Sequence, residues 1–186
     1  SLRALTLDRL GRIDEALLAD RFFREKLAEE LSVALSAALP GRQAEAVPAI
    51  ILSGSLSQAD RAEPRRINRV NIIGCNERFW ALGDGGPREP IGPGQIVLNQ
   101  PAAEWLEVRA GDQVLIHLPR PASIPGDSPL GKKTDTTRTV RATVAEVIPA
   151  KGLSRFSLHA AQRSPRNAYL QLQWLQRQLL QPQRIN

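Results

Sequence analysis

The sequence predicts an α+β fold, a mixed and mostly antiparallel set of strands with a few short helices packed on them. Three observations carry this. Short apolar runs, alternating or continuous, recur between turn-forming residues at 46–57, 66–74 and 139–147. Helical spacing is confined to brief segments, the longest at 24–39. One unit, 95–118, also reads as strand, short helix, tight turn and strand in succession, and the other elements are arranged around it.

Taken in order, Leu2, Leu5 and Leu10 share a helical face that Gly11 stops, which predicts a short leading helix over 1–10. The segment 13–23 is ambiguous by periodicity, and a strand near Ala16–Ala19 is the favoured assignment. Residues 24–39 form a clearer helix: Leu27, Leu31, Ala34, Leu35 and Ala38 make the apolar stripe, Glu25, Lys26, Glu29 and Glu30 face water, and Pro40-Gly41 ends it. Segments 46–57 and 66–74 are strands, and the polar stretch 58–65 between them makes a hairpin. The Gly/Pro-dense 83–94 is a surface loop too short to link domains.

In the central unit Ile96-Val97-Leu98 is a buried strand, Asn99 or Gln100 caps the helix, and Pro101 suits its first turn. Ala102, Trp105 and Leu106 recur at helical spacing, with Trp105 among apolar neighbours. Gly111 ends the helix and turns the chain into Val114-Leu115-Ile116. Glu104, Glu107, Arg109 and Asp112 read as a solvated face. Residues 119–138 are a long exposed loop with no role that the sequence assigns. In 139–147, Val140, Ala142, Val144 and Val147 alternate against Arg141, Thr143 and Glu146, as a half-buried strand requires. Residues 153–158 and 168–172 are shorter strand candidates, and 174–180 is a helix with Trp174, Leu175 and Leu179 inward.

A chain of 186 residues with 42% apolar content can pack a core, and no run approaches the roughly 20 apolar residues that cross a bilayer. The chain opens on Ser1 and has no Met, so we expect a piece of a longer protein, with 1–186 forming a single domain. The net charge of +6 is compatible with phosphate-rich partners but decides nothing without a localised patch. The single Cys75 has no partner for an internal disulfide and reads as a small half-buried residue. With His117 and His159 far apart, no metal-ligand spacing exists.

Three constellations compete with bland explanations. Residues 126–134 fall one residue short of the phosphate loop G-x-x-x-x-G-K-[ST], because Lys133 stands where the hydroxyl residue belongs. No strand leads in, Pro129 removes an amide, and a strand instead of a helix leaves. The cluster Arg61, Arg65, Arg66 and Arg69 is interrupted by Glu63 and flanked by Asp60, with no alternating aromatic residues to stack bases, so it reads as a solvated hairpin tip. The same weighting applies to His159, Arg163 and Arg166 in 155–166. A hydrolase would need His117 or His159 in a cleft beside a Ser or Asp, and Ser53-Gly54-Ser55 lacks the G-x-S-x-G elbow. No catalytic, cofactor-binding or metal-binding residue is assigned, and no cofactor is expected.

The run IVLNQPAAEWLEVRAGDQVLIHL resembles a passage of MacB/FtsX-type ABC transporter permeases, within their extracytoplasmic (MacB-like periplasmic core) domain: a strand, a short helix, then x-x-G-D-x-V. LRALTLDRL (2–10) is similar to the segment after that family's first membrane helix, RVNIIGCNERF (69–79) to its strand into G-V-x-x-x-F, and NAYLQLQWLQRQL (167–179) to its strand before L-x-x-L-Q. The motifs stand in the family's order over most of the chain.

The resemblance implies a non-catalytic domain on the periplasmic side of the cytoplasmic (inner) membrane, between two flanking membrane helices. It would engage substrate or a periplasmic partner and pass on conformational change from those helices. The implied partners are an ABC ATPase subunit or domain, which hydrolyses the ATP, and a periplasmic adaptor or a lipoprotein substrate. Family members often carry a second lobe, which implies that part of the region lies outside this chain. The alternative is a basic binding module for nucleic acid or anionic surfaces, whose binding would weaken steeply with salt; nucleic acid is the less expected partner.

Overall fold

The computed structural model describes residues 8–19, 21–41, 44–119, 137–158 and 164–186. Strands β2 (Ile50–Gln58), β3 (Arg66–Cys75), β4 (Gln95–Asn99), β5 (Gln113–Pro119), β6 (Thr137–Ile148) and β7 (Asn167–Gln171) close into a barrel in the order β2-β3-β7-β4-β6-β5. The β3·β7 and β4·β6 contacts are parallel and the other four antiparallel. Outside the barrel, β1 (Phe23–Arg24) pairs antiparallel with β8 (Arg184–Ile185). Helices α1 (Lys26–Ala38), α2 (Glu77–Trp80), α3 (Gln100–Leu106) and α4 (Leu172–Gln178) lie between strands. The fold is therefore α+β, with mixed and mostly antiparallel pairing.

Two apolar clusters explain the architecture. Leu56, Ile72, Leu98, Ile116 and Val144 belong to the barrel interior, and α4 adds Leu175 and Leu179. Gly74 admits Leu175 because any Cβ there would lie 2.7 Å from its Cδ2. The second cluster lies on the other face of β3, β4 and β7, where Ile73, Val97 and Tyr169 pack with Phe79, Leu153 and Phe156. Each such side chain contributes about 1.5–3 kcal/mol on burial, so these three strands are held from both sides.

The central unit forms as its local signals require. The Asn99 side chain caps α3 by accepting from the Ala102 amide at 3.3 Å, and Pro101 occupies its first turn. The helix stops earlier than expected, since Glu107 takes the left-handed conformation (φ 52°) and its amide bonds back to Glu104. Gly111, at φ +94°, instead shapes the turn into β5 and donates from its amide to Val144 O at 2.8 Å. The β2–β3 hairpin is closed by Gln58 N donating to Arg65 O at 3.1 Å. Strand β6 alternates up to Val144; there a register shift pairs Ile96 with Val144 but Val97 with Glu146, which sends Val147 to the inner cluster and Ile148 to the outer one.

Several expectations are corrected. No strand forms at Ala16–Ala19: residues 13–19 have no regular structure, and Leu17 is 65% exposed. A closed barrel leaves no edge on which a further strand could pair. Helix α1 forms, but of its residues only Ala28 is fully buried, and Val33 and Leu35 of its later turns are exposed. Residues 153–158 overlap a 3-10 turn (Gly152–Arg155) in place of a strand, because side chains from β7 and from Asn99 at the end of β4 take its carbonyls. Trp105 is 50% exposed, outside the core, and Cys75 is fully buried. The leading helix lies outside the described residues except for helical 8–10, as does nearly all of the 119–138 loop.

Candidate functional site

An open groove of about 980 Å³ runs beside the central unit. One wall is the end of α3 with the turn that follows, where Glu104, Glu107 and Val108 stand and the Val108 amide bonds to Ala103 O at 3.1 Å. The turn is locked by Asp112, whose carboxylate accepts from the Arg109 amide at 2.8 Å. The opposite wall is the Gly/Pro loop, pinned where the Arg88 amide donates to Glu146 Oε2 at 2.9 Å. Its floor is the irregular part of the β4·β6 pairing, with Val97, Ala145 and Val147.

The charges around the groove are unevenly paired. Glu107 accepts an ion pair from Arg65 at 2.9 Å, and Glu146 lies 3.8 Å from Arg88. Glu104 accepts from Gln100 at 2.6 Å, while neither it nor Glu89 has a cationic partner among the described residues. The described lining contains the carboxylates of Glu89, Glu104, Glu107 and Glu146, the guanidiniums of Arg88 and Arg109 and the Gln95 carboxamide, among aliphatic side chains. The sequence marked Glu104, Glu107 and Arg109 only as a solvated face. It carried no signal that the Gly/Pro loop would fold against them.

The condition that a hydrolase would have to meet is satisfied only in part. His117 on β5 lies with Nε2 3.2 Å from Ser57 Oγ and Nδ1 2.9 Å from Thr139 Oγ1. This places an imidazole between two hydroxyls on the β2-β5-β6 wall, away from the groove, with a Thr where a carboxylate would orient a base. Partial burial, and secondarily the Arg66 guanidinium, lower the His117 pKa and favour the neutral ring. Ser55 instead accepts from Arg66 at 3.0 Å. His159 and Arg163, and the 126–134 motif, lie outside the described residues.

The arginines of the hairpin tip are exposed, as read, but they have an aromatic neighbour that the sequence hid. Trp105 donates its indole N–H to Arg66 O at 3.1 Å, and Arg166 stacks over the ring at 4.1 Å. The three residues are far apart in sequence, so no local pattern could have joined them.

The buried polar groups form a structural lock. The two N–H groups on Asn167 Nδ2 are shared among Phe156 O (2.8 Å), Ser154 O (3.1 Å) and Tyr169 Oη (2.9 Å), and its Oδ1 accepts from Asn71 at 3.0 Å. Asn99 donates to Ser154 O at 2.9 Å, and Tyr169 donates to Leu153 O at 2.6 Å. Burial raises the pKa of Tyr169 and of the Cys75 thiol, keeping both neutral.

No family model matches the chain, and no curated protein does. Among solved structures it is similar to the periplasmic region of MacB from Actinobacillus actinomycetemcomitans, with 13% identity and a TM-score of 0.44 over 83% of this chain and 61% of that one. It is likewise similar to the extracellular domain of the noncanonic ABC-type transporter YknZ from Gram-positive bacteria, with 12% identity and a TM-score of 0.45 over 84% of this chain and 66% of that one. The chain thus spans less than two thirds of the length of either structure.

Proposed function

We propose that this chain is a non-catalytic extracytoplasmic domain of a MacB/FtsX-type ABC transporter permease, a fragment of a longer membrane protein. It engages substrate or a periplasmic partner, an adaptor or a lipoprotein, and relays movement from the flanking membrane helices. ATP hydrolysis belongs to a separate nucleotide-binding subunit or domain. The observation that carries this reading is the order of motifs from 2–10 through 69–79 and 95–118 to 167–179. The β1·β8 pairing is compatible with it: Phe23 lies opposite Ile185, so the segments entering and leaving the barrel are neighbours, as insertion between two membrane helices requires.

The test is the topology of the parent protein in its own membrane. Apolar segments of roughly 20 residues before Ser1 and after Asn186, with a reporter placed at the β5–β6 connection active only outside the cytoplasm, are the expected result. A soluble cytoplasmic parent sinks the reading and leaves the basic module, with Arg65 and Arg66 as its first residues to change.

A further inference from the structure

We propose that the outer face of the β2-β5-β6 wall binds a tetrahedral dianion, a phosphate monoester or a sulfate, and takes up a proton as it does so. The site consists of Ser55 and Ser57 of β2, Arg66 of β3, His117 of β5 and Thr139 of β6. Leu56, Ile116 and Val140 turn toward the barrel interior, which sends their neighbours Ser55, Ser57, His117 and Thr139 to the outside. The register sets Ser55 and Thr139 on either side of His117 and Arg66 opposite Ser57. Arg66 donates to Ser55 Oγ at 3.0 Å, and the imidazole lies 3.2 Å from Ser57 Oγ and 2.9 Å from Thr139 Oγ1.

The hydroxyl hydrogens select an oxyanion. In a neutral imidazole one nitrogen donates and the other accepts, so one of the two hydroxyls beside it spends its hydrogen on the ring. A protonated ring donates from both nitrogens. Ser57 and Thr139 then accept from the ring while Ser55 accepts from Arg66, which turns all three hydroxyl hydrogens toward an outside acceptor. Together with the guanidinium they match the oxygens of a tetrahedral dianion. No carboxylate bonds to any of the five side chains among the described residues. The other charged groups on the adjoining strand β6 are engaged elsewhere: Arg141 by Asp60 at 2.9 Å and Gln113 at 2.6 Å, and Arg138 by Gln178 at 3.4 Å. Strand β2 and the rest of β5 carry no charge. Partial burial and Arg66 keep the ring neutral while the site is empty, and a dianion between the two reverses that balance.

The probe is sodium sulfate, whose charge stays fixed from neutral to mildly acidic pH, added to the 186-residue chain against sodium chloride at equal ionic strength. Imidazole NMR signals are followed as the pH is changed, with His159 as the internal reference. Sulfate should raise the His117 pKa above its value in chloride and leave that of His159 alone. By reciprocity, sulfate should bind about tenfold more tightly at mildly acidic than at neutral pH. His117→Gln, which keeps partners for both hydroxyls but carries no charge, should abolish this pH dependence. Arg66→Gln should weaken sulfate about five- to tenfold, whereas Arg69→Gln, an exposed cation of β3 outside the site, should change it less than about twofold. Glycerol 3-phosphate and dihexanoyl phosphatidic acid separate the sources: tighter binding of the lipid assigns a lipid headgroup, and equal binding a free phosphate ester. A His117 signal that responds alike to chloride and sulfate, two histidines that shift together, or an Arg69 variant as weak as the Arg66 variant would overturn the proposal.

Discussion

The two sides of the barrel are built on opposite plans. Strands β4 and β7 are buried along almost their whole length, while β5 and β6 alternate buried and open residues. The difference follows from what lies outside. On the β3-β7-β4 side a second apolar cluster and the Asn99, Asn167 and Tyr169 lock cover the outer face. On the β2-β5-β6 side the outward residues include Ser57, His117 and Thr139, where the imidazole bonds to both hydroxyls instead of to a covering layer. Of the two parallel pairings, β3·β7 lies wholly on the covered side, where both faces are dry, and β4·β6 joins that side to the open one. Free energy is therefore concentrated on one wall, and the other is free to change.

The strongest way to break this comparison is Asn167→Ala. It leaves Phe156 O without its donor and removes the partner of Asn71, and should cost about 3–4 kcal/mol in urea unfolding. A loss below about 1 kcal/mol would mean that the lock is ornamental. Gly152→Ala comes next. Its φ is +51° and an added Cβ would lie 2.2 Å from Asp84 O, so a loss of about 2–3 kcal/mol is expected. Hydrogen exchange should then quicken around 152–156 and leave β5 and β6 protected, which separates a local failure from a global one.

On the open wall effects should be small. Ser57→Ala removes the hydroxyl facing His117 and should cost about 0.5–1 kcal/mol. If it matches Asn167→Ala, the two walls are not different in kind. The smallest effect is a slope with pH. The folded-state pKa of His117 is lowered, so the unfolded chain binds more protons between that value and the ordinary 6.5. Its contribution is present above pH 6.5 and is lost as pH falls from there through the folded pKa. His117→Gln should flatten that part of the stability profile measured between neutral and mildly acidic pH.

Local chemistry in the sequence determined much of this protein. The cap at Asn99, Pro101 in the first helical turn, the hairpin of β2 and β3 and the alternation of β6 follow from rules that act over a few residues. The tertiary structure alone decided that the strands close into a barrel and which of them run parallel. Asn71 meets Asn167 across a separation of 96 residues, and periodicity carries no record of a strand's partner. The same reason hid the groove, whose walls come from a loop, a helix end and a strand irregularity, and it misplaced Trp105, which helical spacing alone could not distinguish from a core residue. It also turned 153–158 away from a strand, because its carbonyls are claimed by side chains that only the closed barrel brings near.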